Sequence, residues 1–468
     1  MSNVKPGNYT DSGSERSTTI SHAENNTQQL KGEVLITSMQ DSLKLGLVPI
    51  NIYNDEEIYR LELERIFLRN WIFLAHESEI PNVGDYVQRS IGQDSFIVVR
   101  DSQGKIRVHL DVCRHRGARL CVGDRGNTEV FRCPHHGWTY DTDGNLTGVP
   151  NRTQAYQGLK LDEWGLVSAP RVESYRGLVF TCLDPEIMSL EDYLGDFRWY
   201  LDIHLGLSPE GMEVIGDPHR WNVNADWKSG SDNFAGDSYH TQSLHRSILE
   251  IGLASKSAAG SGGSPNDIHV TECSGHSTSI RRNDPGSVFY WGYPEELHMT
   301  FSKSDLSFEQ RELAERSVVH TGTIFPNLSL IHIGGTDDPA KPIAAWFSLR
   351  QWQPRGPGKM EAWSWTLVPK EASKEYKQRA HRVAVANFSP SGNFEQDDVV
   401  VWAGVARAGR GAYASHIGLH LNFQMGMEGM SQARQMTDWV GPGVVYDSNL
   451  EEGVQRTFFN SWLKSMVR

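Results

Sequence analysis

The sequence predicts an α+β protein in which a small antiparallel β domain is inserted into a larger mixed domain. Three observations carry that expectation. From Ile80 to about Asp184 the chain consists of short β-prone runs ("SFIVVR", "KIRVHLDV", "GLVFTCL") separated by Gly and Asp turns. Beyond Met188, strand-like runs ("AAWFSLRQW", "EAWSWTLV") share the chain with helical patterns. At 468 residues the chain exceeds what one ordinary core fills, so two or three domains are expected.

Taken in order, residues 1–30 are polar and rich in Ser, Thr and Asn, and are expected to form a disordered tail because they cannot offset their ordering entropy. Residues 31–78 are expected to pack on the larger domain. Within them, "NDEEIYRLELERIFLRNW" reads as a helix with Asn54 as N-cap and an apolar stripe of Ile58, Leu61, Ile66 and Trp71. The small β domain is placed at 79–185 and the larger domain at 186–468. The latter is expected to hold a helix over Ala372 to Asn387 and a final helix from Asn449. There Asn449 and Glu452 have capping-box spacing, and Val454, Phe458 and Trp462 share a face. The glycine-rich run "LASKSAAGSGGSPNDIHV" reads either as a lid over an entrance or as a surface insertion.

Composition narrows the function. With 38% hydrophobic and 22% charged residues the chain is globular. A net charge of -13 offers no basic patch to displace phosphate counterions, which excludes a nucleic-acid binder. No run of eighteen apolar residues predicts a membrane span, and no apolar stretch near Met1 predicts a secretory signal. The five cysteines (Cys113, Cys121, Cys133, Cys182, Cys273) are too few and scattered for a disulfide framework, so a cytoplasmic protein with reduced thiols is expected.

The chemistry concentrates in two places. In "CRHRGARLCVGDRGNTEVFRCPHHGW", residues 113–138, Cys113-x-His115 and Cys133-x-x-His136 are separated by seventeen residues. A Cys₂His₂ zinc site normally groups its cysteines in one loop and its histidines in another. Here each loop supplies one Cys and one His, which suits a two-iron cluster with thiolates on one iron and imidazoles on the other. Gly117 and Gly137 would let the backbone fold closely around the sulfides, and Trp138 would cover one side. Cys121, with no partner in the second loop, reads as a buried thiol, and His135 as a hydrogen-bonding loop residue.

The second place is "DWKSGSDNFAGDSYHTQSLHRS", residues 226–247, with Asp237, His240 and His245. Two His plus one carboxylate make the facial triad of non-haem Fe(II) oxygenases. On a regular α-helix residues five apart are rotated by about 140° and do not converge, so the segment must break or widen π-fashion.

Both motifs, in this order, resemble those of the α subunits of Rieske ring-hydroxylating oxygenases: C-x-H-R-G and C-x-x-H-G-W-x-Y-x-x-x-G for the Rieske cluster, and N-x-x-x-D-x-x-H-x-x-x-x-H for the mononuclear iron. The resemblance extends over most of residues 50–468 and looks closest to actinobacterial phthalate or polycyclic-aromatic enzymes. It implies a Rieske [2Fe–2S] domain inserted into a helix-grip-like catalytic domain. The cluster would be held by Cys113, His115, Cys133 and His136, and Fe(II) by His240, His245 and Asp398, with Asp397 the alternative. Asp237 would bridge the cluster of one subunit to the iron of the next, and Asn233 would lie near the iron. No G-x-G-x-x-G follows a strand, so electrons from NAD(P)H would arrive through a separate reductase and ferredoxin.

By the same resemblance a small β subunit completes an α₃β₃ assembly, and O₂ is delivered to an aromatic ring as a cis-dihydrodiol. Phe234, Phe388 and Phe394 offer a flat apolar slot, and Ser238 and Thr241 make it more polar. The substrate would be a phthalate-type acid or a polycyclic hydrocarbon, an acid needing Arg246, Arg281 or Arg282 nearby. Alternative readings are a Rieske monooxygenase or demethylase, a non-catalytic electron carrier, and a structural zinc protein.

Overall fold

The computed structural model of the protein describes residues 31–253, 266–430 and 433–467. The expected tail (1–30) and the core of the expected lid (254–265) lie outside the described residues.

The β-prone runs of the small domain form a four-stranded antiparallel sheet, in the order Ile106–Leu110, Asp94–Arg100, Asp85–Ile91, Arg125–Asn127. A three-stranded sheet follows (Val130–Arg132, Thr139–Asp141, Leu146–Gly148), carrying the second Cys/His loop. A third sheet pairs Leu178–Cys182 with both Arg171–Tyr175 and Ile72–His76, so the chain enters and leaves the domain side by side.

The larger domain is built on a nine-stranded antiparallel sheet. Its central strands, Leu328–Gly335, Ala344–Gly356 and Lys359–Pro369, are joined by hairpin connections. Residues 344–354 are buried at every position, because side chains on both faces of this strand are covered. The helices Trp227–Phe234, Lys374–Phe388 and Gly453–Met466 pack against this sheet. The small domain rests on the same sheet: Arg89 pairs with Glu79 and lies over the Trp363 ring, and Gln353 Nε2 donates to Ser90 O (2.7 Å). Among the described residues no helix is long and apolar enough to cross a membrane.

Local expectations need three corrections. Asp55, not Asn54, caps the helix Glu56–Glu62, accepting from Glu57 N and Ile58 N (2.9 and 3.0 Å), while Asn54 Nδ2 reaches across to Ala406 O (2.7 Å). That helix, Glu56–Glu62, passes into a wider π-type turn at Leu63–Phe67, and the stripe Ile58, Leu61, Ile66 and Trp71 is buried as expected. The last helix starts at Gly453 rather than Asn449. No capping box forms, because Glu452 turns its carboxylate to Met425 N (2.9 Å). The expected 372–387 helix is Lys374–Phe388, capped by Ser373.

Three histidines deep in the larger domain form a hydrogen-bonded chain. His204 Nδ1 lies 3.1 Å from His332 Nδ1, and His204 Nε2 lies 3.3 Å from His320 Nδ1. Ser317 and Tyr293 hydroxyls end the chain at 2.7 and 3.1 Å. Burial depresses their basicity, His204 to about 3 and the other two well below the ordinary value. Burial likewise holds His76, His269 and His276 at about 4. Each group is neutral when folded but takes a proton when unfolded, at an ordinary pKa of about 6.5. Its stability contribution is therefore complete above that pH and is lost as the pH falls from there toward 4, at up to about 1.4 kcal/mol per group per pH unit. The urea midpoint of unfolding is expected to fall steeply between pH 6.5 and 4.5. A midpoint flat across that range would contradict the neutral, buried state of these histidines.

Candidate metal centres

Two loops of the small domain carry Cys113, His115, Cys133 and His136, and they are near copies of one another. Cys113 N donates to Ala118 O (2.8 Å) and Gly117 N to Cys113 O (2.9 Å); Cys133 N donates to Trp138 O (2.7 Å) and Gly137 N to Cys133 O (3.0 Å). Each turn closes through a glycine at left-handed φ, 75° at Gly117 and 74° at Gly137. That conformation is why glycine stands there, since a Cβ on Gly117 would meet nothing within 4 Å.

Both thiols are buried, and Cys113 Sγ lies 3.4 Å from the Tyr140 hydroxyl. The His115 ring stacks on Trp138 (5.0 Å, 9°) and stands edge-on to His136 (4.6 Å). Its Nε2 faces the Tyr156 hydroxyl at 3.3 Å, which leaves Nδ1 buried and without a partner, as an imidazole awaiting a ligand would be. His136 and the neighbouring His135 are exposed, stacked at 3.7 Å. Cys121 is buried, and burial pushes its thiol up to about 12, so it stays protonated and inert.

In the larger domain the helix Trp227–Phe234 aims the second set. Asp226 caps it, and the buried Lys228 ammonium bonds both Asp226 and Glu62 at 2.6 Å. Glu62 also accepts the indole N–H groups of Trp227 and Trp462 (2.8 and 2.7 Å), tying this helix to the helices Glu56–Glu62 and Gly453–Met466. At Gly230 the helix lies directly on Trp352, where a Cβ would come within 2.4 Å of the ring. The helix then ends. His240 precedes a short helix, Thr241–Leu244, and His245 (φ -97°, ψ 21°) breaks that helix from the next, Arg246–Glu250. The break needed to bring residues five apart together is present.

The two Nε2 atoms lie 3.2 Å apart, and Asp398 Oδ1, from the helix Asn393–Gly409, lies 3.5 Å from His240 Nε2 and 3.3 Å from His245 Nε2. Bonds of about 2.1 Å separate neighbouring donors by about 3.0 Å at right angles and about 3.4 Å at tetrahedral angles, so this triangle fits a divalent ion. Asp398 Oδ1 is buried without a hydrogen-bond partner. Behind the triangle, His245 Nδ1 is hydrogen-bonded to Asp397 Oδ2 at 3.1 Å, and the Asp237 carboxylate stands 3.3 Å from His240 Nδ1 without closing a hydrogen bond. Burial opposes a charge on His240, yet the carboxylates of Asp237 and Asp398 prevail and push it up to about 10. Burial likewise opposes ionisation of Asp398, and the two histidines nevertheless hold it below the usual carboxylate range. A site so charged attracts a cation.

Among the described residues this is the one trio of such donors lying mutually within 4.8 Å.

The triad opens into a pocket. Asn233, Phe234, Asp237, Ser238, Thr241, Phe388 and Phe394 line it, with Phe388 and Phe394 stacked (5.2 Å, 10°). Of the opposite wall, where Ser279, Arg281, Val319, Thr321, Ile331 and Ile333 project from three strands, the sequence singled out only Arg281. The wall's signal is the i, i+2 spacing of each pair, which becomes readable only once the sheet order is known. Beneath the pocket the fully buried Arg350 bonds Glu395 (2.6 Å), and its guanidinium lies within 5.0–5.7 Å of four rings: Trp221, Phe234, Trp352 and Phe388.

Comparison with known protein families matches residues 70–175 to the Rieske [2Fe–2S] domain and 190–467 to the ring-hydroxylating α subunit catalytic domain. The chain is a Rieske ring-hydroxylating oxygenase α subunit. Such α subunits bind a Rieske cluster in the first domain and a mononuclear iron in the second, and they are oxidoreductases. The chain is 36% identical to the N,N-dimethyl phenylurea N-demethylase α subunit of Sphingobium sp. (strain YBL2), over 94% of this chain and 96% of that one. It is 34% identical to the biphenyl dioxygenase α subunit of Paraburkholderia xenovorans (strain LB400), over 90% and 91%. Among solved structures, naphthalene 1,2-dioxygenase from Rhodococcus sp. bound to indole superposes with a TM-score of 0.86 at 41% identity, covering 94% of this chain and 98% of that one. As an α subunit of this family, the chain carries the α+β, two-domain architecture that its sequence predicted.

Proposed function

We propose that this α subunit cis-dihydroxylates a neutral aromatic ring, with O₂ as oxidant and electrons from NAD(P)H passed on by a reductase and a ferredoxin. Cys113, His115, Cys133 and His136 hold the [2Fe–2S] cluster, and His240, His245 and Asp398 hold Fe(II). The observation that carries this reading is the donor triangle opening onto an aromatic-lined pocket. An iron bound by two imidazoles and one carboxylate keeps positions open for O₂. The chain's own part is to position. Asp237 and Asp397 fix the two imidazoles from behind, the stacked Phe388 and Phe394 with Phe234 present a flat slot for the ring, and the buried wall keeps bulk water out.

The domain limits remain 79–185 and 186–468, and we place the protein in the cytoplasm, where buried thiols stay reduced. The assembly is α₃β₃, with exposed His136 of the partner subunit reaching Asp237. Of the two substrate classes, the charges favour a neutral ring over a phthalate-type acid. Arg281 is held by Asp267, Arg246 pairs with Glu250 at the surface, and Arg282 lies over Trp439.

A second reading, N-demethylation, is favoured by the similarity to the phenylurea demethylase. The test is reconstitution with a ferredoxin and a reductase against naphthalene, phenanthrene, phthalate and N,N-dimethyl phenylurea. A cis-dihydrodiol from naphthalene or phenanthrene is expected. Formaldehyde from the phenylurea without any diol would establish the demethylase instead, and no product from any of the four would reject both.

A further inference from the structure

The helix Asn393–Gly409 buries a stripe of Glu395, Asp398, Trp402, Ala406 and Gly409, spaced three or four residues apart. Two positions of that stripe are carboxylates, where apolar side chains would be expected. Asp398 faces the two imidazoles. Glu395, one turn earlier on the same face, has no such task. It pairs instead with Arg350 of the central strand Ala344–Gly356, Nη2 to Oε2 at 2.6 Å, and the two side chains are 1% and 0% exposed. As a stabilising device the pair is poorly built. Arg350 Nε and Nη1 and Glu395 Oε1 are buried without hydrogen-bond partners among the described residues. Apolar side chains of similar volume in such a place are commonly as good or better. The value of the pair is positional.

No side chain caps this helix at Gly392, so its first turn lacks the usual tie at that end. Glu395 stands in that first turn, and its bond to Arg350 fastens the turn to the sheet. The rotation and depth of the turn set where Asp398 Oδ1 falls, three residues on. Arg350 reaches the other arm of the site as well. Its guanidinium lies 5.3 Å from the ring centre of Phe234, at the end of the helix that leads to His240. It also lies 5.0 Å from Trp352, which meets Trp402 of the buried stripe edge-on (5.4 Å, 80°). We infer that Arg350 and Glu395 form a positioning pair, setting the helix that carries Asp398 against the helix that leads to His240 and so fixing the edges of the donor triangle. This rests on the reading that His240, His245 and Asp398 hold the iron, and it adds the residues that set their spacing.

The test is anaerobic titration with Fe(II) of the full-length protein carrying its [2Fe–2S] cluster, alongside urea unfolding. Two variants leave the net charge unchanged, so the overall attraction for a cation is preserved. Glu395→Leu/Arg350→Met replaces the pair by apolar side chains of similar volume. Glu395→Asp keeps the charge and shortens the arm by one methylene, so the pair can close only if the turn shifts. The double variant should unfold at the wild-type urea midpoint or above it, yet bind Fe(II) at least about tenfold more weakly, the scale of loss when a group that orients a metal ligand is removed. Glu395→Asp should also bind Fe(II) about tenfold more weakly. The cluster spectrum should be unchanged in both. A pair that only packed the core would move the urea midpoint and leave the Fe(II) affinity alone. Wild-type Fe(II) affinity in the folded double variant overturns the inference. Should that variant not fold, Glu395→Asp decides, wild-type affinity there overturning the inference and weaker binding supporting it. Undiminished Fe(II) binding by His240→Ala would overturn the reading of the iron site itself. Loss of iron in His240→Ala, with none in either pair variant, would overturn this inference alone.

Discussion

Replacing His240 or His245 by alanine is expected to strip the mononuclear iron and abolish turnover, while the visible and EPR spectra of the [2Fe–2S] cluster stay unchanged. Each residue supplies one corner of a three-donor triangle with 3.2–3.5 Å edges, and the cluster ligands lie in another domain. Loss of a corner leaves two donors, so the effect should exceed the roughly 10–100-fold loss of affinity typical for removing an outer hydrogen-bond partner. The acidic pair gives the sharper comparison. Asp398→Ala should behave like the histidine variants, because Asp398 Oδ1 faces both Nε2 atoms. Asp397→Ala should retain the iron more weakly, within that 10–100-fold range, because Asp397 faces the back of His245. Iron-to-sulfide ratios of the purified variants decide the matter. Iron kept by Asp398→Ala and lost by Asp397→Ala would exchange the two roles.

Asp237→Asn should fold, fill both metal sites and accept an electron at the cluster, yet reoxidise that cluster at least about tenfold more slowly in single turnover with substrate and O₂ present. Asp237 Oδ2 stands 3.3 Å from His240 Nδ1, and about a third of the side chain is exposed, open to a neighbouring subunit. Asparagine keeps the size but replaces a charged double acceptor with an amide that must donate on one side. A mere surface carboxylate would tolerate this exchange, so wild-type reoxidation in stopped-flow absorbance would reject the bridging role.

The parts of the site legible in the sequence were those whose chemistry is local. The Cys/His spacing pointed to twin loops because each loop is a single turn. The five-residue interval between His240 and His245 required a break because a regular helix cannot bring them together, and the structure has one. Choosing between Asp397 and Asp398 was a different problem. Adjacent helical residues point about 100° apart, so one faces the triangle and the other the back of His245, and spacing alone does not say which. The Asp267–Arg281 wall needed the pairing of two strands that only the folded sheet displays. At Asn54 and Asp55 two good capping residues stand side by side, and the carboxylate took the cap because Asn54 was drawn to Ala406.

The arginine beneath the pocket constrains how this enzyme can change over generations of selection. Arg350 borrows two of its four enclosing rings, Phe234 and Phe388, from the lining of the pocket. A smaller residue at either position widens the cavity and at once uncovers a cation whose charge was screened by that ring, so gain of space and loss of stability arrive together. The floor is thus a poor place for trial and error. Val319, Ile331 and Ile333 touch the cavity without enclosing that cation, and exchanges among aliphatic side chains there reshape it at small expense. New substrates should accordingly be acquired through the sheet wall, with the aromatic floor inherited almost unaltered.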